Sequence, residues 1–220
     1  MFHVKQFFTA FAFFLAGQGH SQGTVSMRDI NVTYNVPPDK ALQAQLKSSN
    51  DYKFLSPEEQ EVAYFLNYAR KNPSLFLENA INIFLLNHPE VRSSYTKSLQ
   101  ETFKALKPLP IILPDSILSV VARNHALDLK LHHTVSHNSS NGKTFEDRVK
   151  AYVKDCASEC IGVSPRPNPL ESVLSLLFDF NVPNLGHRKT MLDVRYTKAG
   201  FGMAGSVGKS STLVMDFSCR

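Results

Sequence analysis

The chain has 220 residues, 43% of them apolar and 20% charged, with a formal net charge of +5. That length suits one domain with short additions, and the apolar content excludes a largely disordered chain. Its 24 Lys and Arg residues form no run or stripe, which argues against a nucleic-acid binder and supports only a mild attraction to anionic surfaces.

Met1–Lys5 is a short basic start, Phe7–Leu15 is almost wholly apolar, and Gly19-His20-Ser21 places small residues at −3 and −1 of a cleavage site after Ser21. This three-part layout is that of a secretory signal peptide over residues 1–21. Its apolar run is shorter than the about 20 residues a spanning helix needs, and no other stretch suffices. Export permits disulfides. With three cysteines, Cys156, Cys160 and Cys219, at most one internal bridge forms, and the sequence leaves the pairing open.

Residues 22–50 read as a polar leader with Pro37-Pro38 and no sustained period. The domain proper is expected over 51–220. Ser56-Pro57-Glu58-Glu59 starts a helix with a capping box, and Val62, Phe65, Leu66 and Ala69 share its apolar face. Asn72-Pro73 breaks it, and a second helical stretch runs from about Ser74 to Leu86. Residues 88–106 form a more exposed helix or a loop. Asp115 caps a helix whose apolar face carries Leu118, Val121, Ala122, His125 and Leu129. A polar loop over 134–142 follows, then a helix over Phe145–Val153 and a short strand over Ser158–Val163. Asn168-Pro169-Leu170-Glu171 starts another helix, ended by Val182-Pro183. Strands over Ala199–Ala204 and Thr212–Phe217 form a late hairpin. Helices early and strands late argue for an α+β fold rather than alternating βαβ units.

Four segments in order carry a family resemblance: Asn67-x-x-Arg70; Ala122-x-x-His125-Ala126-x-Asp128-Leu129 followed by Ser136-His137 and Gly142; Ser158-Glu159-Cys160-Ile161; and Leu176-Leu177-Phe178-Asp179 with Gly186-His187-Arg188, Ala199-Gly200-Phe201-Gly202 and Met215-Asp216-Phe217. Over residues 55–220 the chain resembles the bacterial branch of the CAP superfamily (cysteine-rich secretory proteins, antigen 5, pathogenesis-related 1). That resemblance implies a three-layer α-β-α sandwich around a small antiparallel central sheet, with a cleft holding two histidines and two acids. Carried over by position, the histidines are His137 and His187 and the first acid is Glu159. Asp179 stands near the position of the second acid, a shortened substitute for the family's Glu.

Two imidazoles and two carboxylates suit a divalent ion such as zinc, or general-base work on water. Other residues read more simply. Glu171 closes a helix cap, and His125 is a hydrogen-bonded core histidine. His133 and His137 have helical metal spacing but run into a loop. Gly208-Lys209-Ser210 lacks the rest of a phosphate loop. Cys160 belongs to the core or to a disulfide, and no Gly-x-Ser-x-Gly elbow occurs in the domain over residues 51–220. The expected function is therefore that of a secreted or periplasmic monomeric binding module for a metal, an apolar ligand or an envelope component. A metal-assisted hydrolase using the same cleft is the alternative.

Overall fold

A computed structural model describes residues 8–9, 25–154, 156–165, 168–205 and 210–219 of the chain. The expected signal segment lies outside the described residues except for the two-residue strand β1 (Phe8–Thr9), which pairs with β2 (Met27–Arg28). Most of the expected hairpin loop after Ala204 lies outside them too. Among the described residues no helix is long and apolar enough to cross a membrane.

The leader contains a helix that the sequence reading did not expect. Asp39 accepts a hydrogen bond from the Leu42 amide and caps α1 (Lys40–Lys47), whose Leu42 and Leu46 are fully buried. Eight residues give one i, i+4 pair, too short a repeat to stand out as a period. After α2 (Asn50–Phe54), the expected capping box of Ser56 and Glu59 opens α3 (Pro57–Lys71). Val62, Leu66 and Ala69 on its inner face are fully buried. The second helical stretch is α4 (Pro73–Phe76) and α5 (Asn82–Asn87), joined by a π-helical turn at Leu77–Ile81. Of the 88–106 segment, a 3₁₀ turn (Pro89–Val91) and α6 (Ser94–Ala105) are helical.

The central sheet has the order β3-β5-β6-β4. Strands β4 (Ala157–Ser164), β6 (Ser211–Ser218) and β5 (Lys198–Ala204) pair antiparallel, and the two-residue β3 (Leu113–Pro114) joins β5 in parallel. All eight residues of β6 are buried. Alternation sends Cys160, Leu213, Met215 and Phe217 to one face, where α3 and α9 (Pro169–Phe178) pack. Ile161 and Val214 face the other way, under Ala122, Ala126 and Leu129 of α7 (Ser116–Leu131). The fold is α+β, as expected.

Helix α7 meets the sheet without side chains in between along β5. A Cβ on Gly200 would stand 2.2 Å from the Leu118 carbonyl carbon, and one on Gly202 2.2 Å from the Arg123 amide nitrogen. The Ser119 hydroxyl accepts the Phe201 N–H at 3.0 Å across the same contact. Glu59 of α3, almost fully buried, pairs with Arg123 of α7 beside it.

Two motif residues hold the frame. Asn67 exchanges hydrogen bonds with the Ile112 backbone at 2.6 and 2.8 Å, and buried Arg70 donates to the carbonyls of Pro110, Met191 and Asp193. Together they fix the extended segment before β3. Cys156 and Cys219 form the disulfide, with a Cα–Cα distance of 5.6 Å, while Cys160 is free and buried.

Gly200→Ala and Gly202→Ala should each lose about 1–3 kcal/mol in urea unfolding, the range for overpacked cores. Gly142→Ala is the control. It has open space and only its positive φ to strain it, so it should cost less than either. Equal losses at all three positions would remove the close helix contact as the cause. Reducing the Cys156–Cys219 bridge should cost about 2–4 kcal/mol. Thiol counting on unfolded protein should rise from one to three on reduction.

Candidate functional site

One wall of the site is built by the end of α9. Asp179 caps that helix in the left-handed region, at φ 54°, and Asn181 and Leu185 also have positive φ before α10 (Gly186–Leu192) begins. Each left-handed non-glycine residue costs about 1–2 kcal/mol, and three within seven positions make a tight return of the chain. The return lets Asp179 serve α10. Its Oδ1 accepts from His187 Nδ1 at 2.6 Å, and its Oδ2 from the Arg188 amide at 2.8 Å. Arg188 then anchors the turn from behind, donating to the carbonyls of Leu177 and Phe178 and to the Ser98 hydroxyl. Asp179 is thus buried rather than solvated at a helix end.

The opposite wall is the loop after α7. Two residues on that helix fasten it. His125 donates from Nε2 to the Ser136 carbonyl at 2.9 Å and accepts the Ser139 hydroxyl at Nδ1. Burial pushes the His125 pKa down against the pull of Glu159, which keeps the ring in the neutral form these two bonds require. Asp128 accepts from both the amide and the hydroxyl of Ser140. The loop so held brings His137 over β4, where its Nδ1 donates to Glu159 Oε1 at 2.7 Å.

Arg148, in the short helix α8 (Phe145–Val149), completes this wall. The expected helix ends at Val149, four residues early, and its guanidinium reaches back to Glu159 Oε2 at 2.5 Å and to the His137 carbonyl at 2.9 Å. Sequence reasoning missed Arg148, which carries no motif beyond a capping box. It also missed Asp216, although an acid between Met215 and Phe217 in an apolar strand is a readable signal. Asp216 stands in register opposite Glu159 and is fully buried, and no donor reaches either carboxyl oxygen. Burial, and then the Glu159 charge, push its pKa well above the usual carboxylate range. The fold therefore favours the protonated form of Asp216 over the charged one.

His137, Glu159 and His187 line one cleft of about 370 Å³, with Phe145, Ser158 and Thr190. The His137 side chain is 30% exposed and that of His187 14%, so solvent reaches both. Asp179 stands behind His187 and lines a neighbouring cavity instead. Among the described residues no three His, Cys, Asp or Glu side chains gather closely enough to cage a metal. The arrangement is two separate imidazole–carboxylate pairs facing across a cleft. A carboxylate at Nδ1 selects the neutral tautomer whose lone pair is on Nε2, the form that ligates metals.

The other sequence candidates lie elsewhere. Glu171 accepts the Tyr34 hydroxyl at the start of α9, and His133 is exposed at the end of α7. His125 is the core histidine expected of it.

The residue pattern of the cysteine-rich secretory protein family matches residues 63–217. The fold and the paired histidines are those of an α+β domain with a cleft at one sheet edge. The chain belongs to the cysteine-rich secretory protein family. Among solved structures, an outer surface protein from Borrelia burgdorferi is similar at 21% identity and a TM-score of 0.42, over 56% of this chain and 86% of that one. An extracellular protein with an SCP domain from Bacillus anthracis is 23% identical over 57% of this chain, with a TM-score of 0.40. A cysteine-rich secretory protein from Staphylococcus aureus is 18% identical over 58%, with a TM-score of 0.32. The match spans about two-fifths of the Bacillus and Staphylococcus chains. No curated protein matches the chain.

The raised Asp216 pKa has a definite effect on stability. The native state holds a proton that the unfolded state releases near pH 4, so this group's contribution is full below that pH and lost as pH rises through the native value. Asp216→Asn, which keeps the shape and a neutral donor, should match wild type in Tm at pH 4 and exceed it increasingly towards pH 8. A constant offset across that range would show that Asp216 does not hold the proton.

Proposed function

We propose that the chain is an exported binding domain whose cleft takes a divalent ion, zinc or a similar metal, between His137 and His187. Glu159 and Asp179 orient the rings in this reading and do not ligate. The observation that carries it is the pair of imidazoles on one cleft, each with Nδ1 on a buried carboxylate. The donor set fits such an ion, since neutral imidazole is a common ligand of zinc and its neighbours. When bound, the ion supplies positive charge and open coordination positions to an extracellular or envelope ligand.

Binding is favoured over hydrolysis by the ligand count. Catalytic zinc centres use three protein ligands, and this cleft offers two imidazoles, which suits an exchangeable ion. Cys160 supplies no nucleophile, because burial pushes its thiol pKa well up and its side chain lies in the core. Export rests on the signal-like start and on a disulfide, which persists in oxidising compartments.

Calorimetric titration should show zinc binding at pH 7.5 that weakens in acid, because protons compete with a metal for its ligands. The double variant His137→Ala/His187→Ala should lose it at least tenfold while remaining folded. Equal affinity in both proteins would sink the metal reading. Turnover of peptide, ester or glycan substrates that depends on the two histidines would instead establish the hydrolase.

A further inference from the structure

A second cavity, of about 120 Å³, lies behind His187 and shares Val182 and His187 with the cleft. Its walls are mostly apolar: Phe84 below, Val163 on the edge strand β4, Leu176 on α9, and Met27 and Ile30 from the leader. The leader segment runs along one side of it like a strap. Arg28 fastens that strap, with its amide on Glu90 Oε1, its Nε on Glu90 Oε2 and its Nη2 on the Asn87 carbonyl. His88 holds Glu90 from the other side at 3.1 Å. Burial raises the Glu90 pKa, but the hydrogen bonds from Arg28 and His88 outweigh it and bring the value to about 2, so the fastening stays charged.

We propose that this cavity is a subsite for a compact, uncharged apolar group, an aromatic ring or a branched aliphatic chain. Size sets the class, since an apolar cavity of about 150 Å³ admits benzene or xenon and stays dry when empty. Charge sets the rest. Asp29, Glu171 and Asp179 on its wall oppose an anion, Arg28 is committed to Glu90, and Asp179 and Glu171 already take donors from His187, Arg188 and Tyr34. The shared wall at Val182 and His187 lets the guest's polar end extend into the two-histidine cleft. Only that last step rests on the proposed metal site.

The test uses the whole chain with benzene and with acetyl-phenylalanine amide as probes, read by the Met27 methyl resonance and by Tm. Wild type should show a saturable methyl shift and a higher Tm with benzene. Ser175→Phe and Val163→Trp, both filling the cavity, should weaken benzene binding at least tenfold while retaining zinc affinity, so this subsite and the metal site fail separately. Binding of the capped amino acid as well as benzene assigns the subsite to a peptide side chain; benzene alone assigns it to a free hydrocarbon group. No saturable shift in wild type, or wild-type benzene affinity in both filled variants, overturns the proposal.

Discussion

Helix α7 can rest on β5 only because Gly200 and Gly202 present no side chain there, and most of the site depends on that contact. The helix backbone lies where two side chains would otherwise stand. With the helix so low, the space over β6 and β4 is sealed from water, which buries Asp216 and Glu159 together. The same seating puts His125 and Asp128 beside the loop they fasten, and the loop then delivers His137. A displaced helix would free the loop, expose the acid pair and detach one wall of the cleft at once.

The buried polar residues divide by what they hold. Arg70, Arg188 and Asn67 are buried and spend their hydrogen bonds on backbone carbonyls and amides, so they act as fasteners for chain segments that belong to no sheet or helix ladder. Glu159 and Asp179 are as deeply buried but face the cleft side, each holding one imidazole and one further donor, Arg148 or the Arg188 amide. Only the two rings reach solvent. Geometry set this way is rigid before a ligand arrives, and such support from behind is what orients metal-binding histidines.

Much of this was legible. The capping boxes, the apolar stripes of α3, α7 and α9 and the late hairpin follow local rules that a single sequence displays, and the ordered motifs implied the two histidines and their acids. What was not legible depends on pairing across distance. Whether Asp179 is solvated or buried turns on the left-handed cap and on Arg188, nine residues away. The partnership of Arg148 with Glu159 requires a loop and a strand to meet. The pairing of Glu159 with Asp216 requires the strand register, which no local period contains. The leader helix is missed for a simpler reason, its brevity.

The sheet order also makes one strand the joint of the sheet. Strand β6 is the last strand of the sheet in chain order and lies between β4 and β5, so β4 on one side and the β3–β5 pair on the other join only through it. The disulfide from Cys156 to Cys219 fixes the end of this joining strand to the start of β4, across 63 residues of chain. One strand thus carries both the pairing that unites the sheet and the covalent tie that holds it, so a break in either is backed by the other.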